Sequence, residues 1–436
     1  MSWLDPSAFI LYSCMIEKKH IIIIGAGASG LAAACAAAAS GARVTVLEKN
    51  HVPGRKVLST GAGKCNLTNA LVTAARYHGG EAPFVNRVLK ALPPGYVNSF
   101  FKDLGLLTVQ DPDGRIFPRS MKAADVVAVL VNCANWKNAE IRLLTEALAV
   151  KKSADGFEVS VRSVSPKWEK GAAAGPETTL ICDKVILAAG GPAYPQIGGS
   201  VSGYDLARSL GHSIKTPEPV LVPLKVRESF ITQVEGIRVQ AALELNSGGR
   251  MLARGRGEVL FTKYGLSGPA VLELSRAAVF ALKSGPVKCR LDFFPEYTAS
   301  ALRALLLARR AEMADRFWRM FLCGLADARL LQLLSDLAKV GADKLVGAVP
   351  EKTFEDFMRL LNGFELELSG PLAFEDAMAA AGGVETTEVS PESFESKKVK
   401  GLFLAGELLD IDADSGGYNL HFAWTSGLLA GRAASG

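Results

Sequence analysis

The sequence predicts an α/β protein in which one domain, organised around a parallel sheet, is built from both ends of the chain. An inserted domain of antiparallel β-strands and helices interrupts it. Three observations predict this. β-branched residues turn through glycines into an alanine helix near the N-terminus, the texture changes to short alternating segments near Ser200, and the strand, loop and helix pattern returns near the C-terminus. The reading divides the chain into 15–199, 200–370 and 371–436, the first and last parts forming one domain.

Taken in order, "IIIIGAGASGLAAACAAAASGARVTVLEK" is strand, tight turn, helix and strand, a βαβ unit. A Gly/Lys/Asn-rich loop follows to about Ala70, then helical "FVNRVLKAL" and "ADVVAVLVNCA", then strand-like "AEIRLL" and "GFEVSVRSV". The polar "SPKWEKGAAAGPETT" reads as a hairpin tip, and "KVILAAGG" as a buried strand ending at a glycine pair. In the insertion, "LVPLKVRES", "AALELNSGG" and "VKCRLDFF" alternate as antiparallel strands do. The stretch from Ser300 to Val340 places apolar residues at helical spacing between charges. The final "VKGLFLAGELLDIDADSGGYNLHFAWTSGLLAGRAA" reads as strand, loop and helix.

Composition bounds the function classes. The chain has 436 residues, 49% hydrophobic and 21% charged, enough for a large core and against long disorder. The net charge of +5 is spread along the chain, which argues against a nucleic-acid-binding arm. Seven cysteines occur without a C-x-x-C pair or a metal-type Cys/His cluster, so no metal is expected and reduced thiols in a cytoplasmic protein fit. No Lys or Arg precedes the apolar "AFILYSCMI", so export is not expected. Ile21 to Ile24 is too short to span a bilayer, and no membrane segment is expected. Met15, directly before "IEKKH", reads as an alternative translation start.

In "GAGASG", Gly25, Gly27 and Gly30 follow an apolar strand and open a helix, the Rossmann-like context of a dinucleotide fingerprint. Gly25 permits the turn, Gly27 lets backbone approach a pyrophosphate, and Gly30 lets helix and strand pack closely. Glu48 ends the second strand about 20 residues on, where a carboxylate accepts from ribose hydroxyls. NAD and FAD share an ADP half, so the chain end separates them. There Gly406 and Glu407 follow a short buried strand, and Gly416 and Gly417 open a helix near Tyr418 whose N–H groups suit negative charge on a reduced flavin. A second nicotinamide fingerprint is missing, since "GGSVSGYDLA" lacks a preceding apolar strand. A nicotinamide would bind transiently at the open flavin face.

Together "GAGASGLAAA", "GRKVLSTGAGKCNLTN", "VILAAGGPAYPQIG", "FTKYGLSGP" and the final segment resemble the HI0933-like flavoproteins, a family that includes BaiN-type reductases and aminoacetone-oxidase-like enzymes. The resemblance runs from about His20 to the C-terminus and implies non-covalently bound FAD, with NAD(P)H as a transient electron donor. It implies that Gly25, Gly27, Ala28, Ser29 and Gly30 hold the pyrophosphate, and that Glu48 holds the adenosine ribose with Lys49 beside it. Arg55 and Lys56 lie in a short loop from which charge reaches phosphate or the adenine side. Thr60, Gly61, Gly63, Lys64 and Asn66 pass near the flavin, Ala147 meets adenine, and Ala189 and Gly190 line the ADP portion. Gly406, Glu407, Gly417, Asn419 and Leu420 surround ribitol and isoalloxazine.

Lys263 stands where family members often carry His, so an acid–base role at that position does not transfer, and no catalytic residue is assigned. His421, Tyr194 and Tyr418 are candidates for the substrate side, with packed core roles as the plainer reading. Cys65 has no second cysteine at a spacing that a disulfide-type flavoenzyme needs, so its loop reads as a cofactor cradle. The leading expectation is an FAD-dependent oxidoreductase acting on a small organic molecule, as a NAD(P)H-dependent reductase of an enone-like double bond. The alternatives are an O2-dependent oxidase of a small amine or aminoketone, and a flavin-containing redox-sensing or RNA- or protein-binding module. Oligomeric state is not legible.

Overall fold

The structure, a computed structural model, describes residues 18–166, 169 and 175–436. Met15 and most of the hairpin tip after Ser165 lie outside the described residues. Its centre is a five-stranded parallel sheet in the order Leu402–Leu404, Lys184–Leu187, His20–Ile24, Arg43–Leu47, Glu140–Arg142. The chain moves one way from the first strand and then the other. The strand order therefore reverses between His20–Ile24 and Lys184–Leu187, the place where open α/β sheets take ligands.

The helix Ala28–Ala39 follows the first strand, and ten of its residues, Ser29 to Ala38, are buried. Its run of alanines follows from that, because a helix enclosed on every side has no polar face to show. The C-terminal helix Tyr418–Ser435 lies across it with almost no spacing. A Cβ at Gly427 would sit 2.2 Å from Ser29 O, and one at Gly431 2.4 Å from Ala33 O. The helix Ala123–Trp136 packs against it as well, and Cys35 Sγ donates to Leu130 O at 3.3 Å. Beside the parallel sheet, Thr145–Lys152, Phe157–Ser163 and Glu177–Cys182 form an antiparallel three-stranded sheet.

The insertion is a closed barrel of Leu224–Val226, Gly265–Ser267, Arg250–Thr262, Arg238–Ser247, Val287–Asp292 and Phe364–Pro371. Helix Pro269–Leu282 packs on it. Trp318 stacks on Phe321, with Phe354 and Phe357 edge-on to them, among the following helices in a core continuous with the barrel interior. The chain reaches the barrel along Ile214–Val220 and returns along Ala379–Val384, and these two strands pair antiparallel. Helix Ser202–Ser209, which the sequence reading puts in the insertion, instead buries Tyr204, Leu206 and Ala207 in the core of the parallel sheet. Among the described residues no helix is long and apolar enough to cross a membrane.

Gly431→Val forces a side chain into the Ala33 carbonyl and should cost about 3 kcal/mol, read as a lower urea midpoint. Gly95→Ala, in a helix where a Cβ meets nothing within 4 Å, should cost nothing.

Candidate functional site

The cavity lies at the carboxyl ends of His20–Ile24 and Lys184–Leu187, the first and fourth parallel strands in chain order. Gly25 turns the chain there with φ +105°, and a Cβ on it would stand 2.5 Å from Ala188 O. One on Gly30 would stand 1.8 Å from Gly25 O. These two glycines let the loop, the helix and the fourth strand converge, whereas a Cβ on Gly27 would meet nothing within 4 Å. Gly27 caps Ala28–Ala39 with no side chain, among the described residues, accepting from the first turn, and that turn holds no acid. The amides at its start therefore remain available to an anion at the positive end of the helix dipole.

Glu48 is buried at the cavity floor. Its Oε1 accepts from Asn50 N at 2.8 Å and Asn50 Nδ2 at 2.7 Å, and its Oε2 accepts from Ala26 N at 2.9 Å. A carboxylate offers about four acceptor directions, so three are spent on fixing its position and one is left toward the cavity, enough for one hydroxyl. Asn50 was not anticipated from the sequence. It also faces Arg55, whose Nη1 is 3.4 Å from Asn50 Oδ1.

At the other end of the cavity, Gly417 opens Tyr418–Ser435 at φ +97°, again with no side-chain cap and no acid in the first turn. Asn419 and Leu420 line the cavity there. Asn419 braces the loop before it, accepting from Ala413 N at 3.0 Å and donating to Ala413 O at 2.9 Å. The first turns of two uncapped helices thus line one cavity.

Of the sequence-predicted residues, the cavity brings together Gly25, Gly27, Ala28, Ser29, Glu48, Lys49, Arg55, Lys56, Thr60, Ala147, Ala189, Gly190, Glu407, Asn419 and Leu420. Gly30, Gly61, Gly63, Lys64, Asn66, Gly406 and Gly417 are not among its lining residues. Gly30 is a packing contact. A Cβ on Gly406 would meet Ser29 Oγ at 2.4 Å, and one on Gly417 would meet Asn66 Oδ1 at 2.7 Å. Asn66 Oδ1 is buried without a hydrogen-bond partner, beside the start of the last helix. Lys64 is exposed.

Arg55 and Lys56 begin a short helix, Arg55–Ser59, instead of lying in a loop. Lys56 Nζ pairs with Glu407 Oε2 at 2.5 Å, joining the N-terminal and C-terminal halves of the site. Both side chains are about a quarter exposed, so solvent screens the pair. Sequence reading missed Thr145, Glu146, Ser202, Leu206, Met378 and Phe422, which also line the cavity. Of these, Ser202 and Leu206 sit in the "SVSGYDLA" segment, whose glycine-turn pattern was the available signal.

Cys65 is fully buried at φ +59°, in a turn where Gly61, Ala62 and Gly63 are also left-handed, and burial pushes its thiol up to about 12. It carries no thiolate at neutral pH. Lys263 is exposed at the tip between two barrel strands. His421 is fully buried, its Nδ1 2.7 Å from Thr68 Oγ1, its Nε2 without a partner, and burial lowers it to about 4. Tyr418 is buried beneath the Arg76 guanidinium, and Tyr194 is half-buried at φ +55°.

Next to Gly416 lies an ion network that the sequence did not announce. Asp414 accepts from His78 Nε2 at 2.7 Å and Arg76 Nη1 at 3.2 Å, while buried Asp412 accepts from Arg276 Nε, on the barrel helix, at 2.7 Å. Burial raises Asp412, and Arg276 opposes it without cancelling it. Burial and nearby Asp414 raise Glu273, one turn away on the same barrel helix, against the pull of Arg76 and Arg115.

A family model described as the HI0933-like protein Rossmann domain matches residues 19–433. A 3-dehydro-bile acid delta(4,6)-reductase of Clostridium scindens is 37% identical over 420 residues, covering 96% of this chain and 99% of that protein. A ribosomal RNA dihydrouridine synthase of Escherichia coli is 27% identical over 417 residues, 94% of this chain and 96% of that protein. Among solved structures, the 3-ketosteroid delta1-dehydrogenase of Sterolibacterium denitrificans shares the fold with a TM-score of 0.52 at 12% identity, covering 96% of this chain and 100% of that one.

Two outcomes follow. Cys65→Ser should leave cofactor binding and turnover within about twofold, checked by absorbance after gel filtration and by steady-state rates. His421 titrates near 6.5 when unfolded and near 4 when folded, so stability is complete above about pH 7. It falls as pH drops through 6.5 toward 4, by roughly 3 kcal/mol in all. Urea unfolding across that range should show this loss reduced in His421→Asn.

Proposed function

The chain belongs to the HI0933-like family, and from that premise we propose that it is an FAD-dependent oxidoreductase that reduces a carbon–carbon double bond conjugated to a carbonyl, with NAD(P)H as donor. The observation that carries this reading is the single cavity bounded by two uncapped helix N-termini, with Glu48 at one end and Asn419 and Leu420 at the other. A ligand that suits it has a hydroxyl-bearing nucleoside, a central diphosphate and a distal ring system that becomes negative on reduction, as FAD does. The 37% identity to a delta(4,6)-reductase supports an enone-like substrate.

When bound, FAD supplies two-electron transfer at N5. This chain's residues hold and orient. Glu48, fixed by three donors, takes a ribose hydroxyl and disfavours a 2′-phosphate. The amides of Gly27 and Ala28 take the diphosphate without bulk in the way. Lys56 and Glu407 neutralise each other beside the cavity and set the spacing between the two halves of the site. The helix starting at Tyr418 favours negative charge at the distal ring. Binding is non-covalent. Overall, one hydride and one proton add across the double bond and NAD(P)H becomes NAD(P)+.

A second reading, reduction of the uracil 5,6 bond in RNA, concerns the same type of bond, since that bond is also conjugated to a carbonyl. The 27% identity to a ribosomal RNA dihydrouridine synthase supports it. So do Arg250, Arg254 and Arg256, which are exposed on one barrel strand and have no ion-pair partner among the described residues.

The test is anaerobic mixing of purified protein with NADH or NADPH, followed by a 4,6-dien-3-one steroid or a uridine-containing ribosomal RNA fragment. Bleaching by the nicotinamide and recovery with the steroid support the first reading. Dihydrouridine formed only in RNA, and lost in Arg254→Glu/Arg256→Glu, supports the second, while bleaching by small amines alone overturns both. Glu48→Ala should weaken FAD binding at least about tenfold, or ~1.4 kcal/mol, by flavin titration of the apoprotein.

A further inference from the structure

A second cavity, of about 580 Å3, opens at the C-terminal end of helix Ala28–Ala39, where Cys35, Ala36, Ala39 and Ser40 line it. Its walls include Tyr96, Phe100, Trp136 and Leu428, and both Cys35 and Cys133 line it. Cys35 is buried on helix Ala28–Ala39, and Cys133 is half-buried on helix Ala123–Trp136. Cys35 Sγ donates to Leu130 O at 3.3 Å, and Cys133 stands three residues after Leu130, on the same helical face, so that both thiols line the one cavity. Lys137, one turn beyond Cys133, lies at the same cavity with its ammonium over the Trp136 ring at 5.0 Å. Trp136 is 81% exposed, an uncommon position for an indole unless something covers it.

We propose that Cys133 and Cys35 form a thiol pair that reacts with low-molecular-weight disulfides entering this cavity, Cys133 as the attacking thiol and Cys35 as the resolving one. In the first step Cys133 Sγ, as thiolate, attacks one sulfur of the disulfide RSSR. The bond Cys133–S–S–R forms, and RS− leaves and takes up the proton that Cys133 lost. In the second step the Cys35 sulfur, giving its proton to the second leaving thiolate, attacks Cys133 Sγ and expels RSH. The balance is two protein thiols plus RSSR giving one protein disulfide plus two RSH. The protein thiols are oxidised and the reagent disulfide is reduced.

The electrostatics agree with this division of roles. The neighbouring Cys35 thiol, outweighing desolvation and helped by Lys137, lowers Cys133, while the neighbouring Cys133 sulfur and burial push Cys35 well up. The more acidic thiol is therefore the half-buried one that the cavity reaches, and the less acidic one is the buried one behind it. The apolar walls and the cations of Lys137 and Arg432 suit a reagent with an aromatic or anionic substituent, and Asp103 is the acid that shares the lining. The bridge would tie the fingerprint helix to Ala123–Trp136. It lies away from the cofactor cavity, whose lining includes neither cysteine.

The holoprotein, without denaturant, is mixed with 5,5′-dithiobis(2-nitrobenzoate), and the products are resolved by peptide mass spectrometry. The expected result is a Cys35–Cys133 cross-linked peptide in the wild type. Cys35→Ser should instead retain one thionitrobenzoate on Cys133, and Cys133→Ser should leave Cys35 unmodified. A stable adduct on Cys133 in the wild type with no cross-link overturns the resolving role of Cys35. Modification confined to exposed Cys323, or Cys35 reacting equally well in Cys133→Ser, overturns the site. The wild-type peptide map alone decides between cross-link and adduct, so a variant that fails to fold does not leave the question open.

Discussion

The structure depends on the placement of one buried helix. Ala28–Ala39 is enclosed on all sides, so its position along its own axis is set by close backbone approach and not by a polar face resting in water. Gly427 and Gly431 bring the last helix down onto Ser29 and Ala33, and Gly25 and Gly30 bring the turn against the fourth strand. At these distances no side chain fits, so the N-terminus of the helix is aimed at the cavity with little freedom. The segments before Ala70 and after Leu402 reach the same place because they are packed on the same alanines.

That aiming is what gives the electrostatics their use. A helix N-terminus left without a capping side chain gives up stabilisation of about 1 kcal/mol, and this protein leaves two such ends uncapped at one cavity. The available amides are a reserve that an anionic ligand completes. Glu48 shows the complementary device: three protein donors hold the carboxylate in place before any ligand arrives, so binding does not have to order it. The Lys56–Glu407 pair neutralises charge beside the cavity and joins the two chain ends, which is positional more than energetic at its exposure.

What was legible in the sequence follows the strength of local signals. "IIIIGAGASG" is readable because strand, turn and helix each impose a residue type, and the parallel sheet with its antiparallel insertion follows from texture. Ile214–Val220 was not readable, since Pro217 and Pro219 argue against a strand. Its partner Ala379–Val384 consists of alanine and glycine with a terminal valine, weak strand formers that persist because all six residues are buried. Helix Ser202–Ser209 was placed with the insertion because its own sequence does not say which core receives Tyr204 and Leu206. Sequence puts Lys56 in a loop that reaches phosphate or the adenine side, and its partner Glu407 is hidden because it lies 351 residues away. Asn50 was missed because its contribution is a hydrogen bond to Glu48 that depends on how the chain turns after the second strand.

The insertion is held to the site by means that the sequence hides for the same reason. Its entry and exit strands pair with each other, so the barrel hangs from one two-stranded ribbon and not from two independent linkers. A second tie is the Arg276 to Asp412 bond, made by a carboxylate with a side chain 1% exposed, and a buried charge of that kind is tolerable only while its partner stays in place. Asp412 lies four residues before Gly416, which introduces the last helix, so moving the barrel helix would disturb the start of Tyr418–Ser435. The position of the insertion and the geometry at one end of the cavity are therefore mechanically coupled through Arg276. Glu273, one helical turn before it and raised toward its neutral form by burial, faces the same junction from the insertion's side.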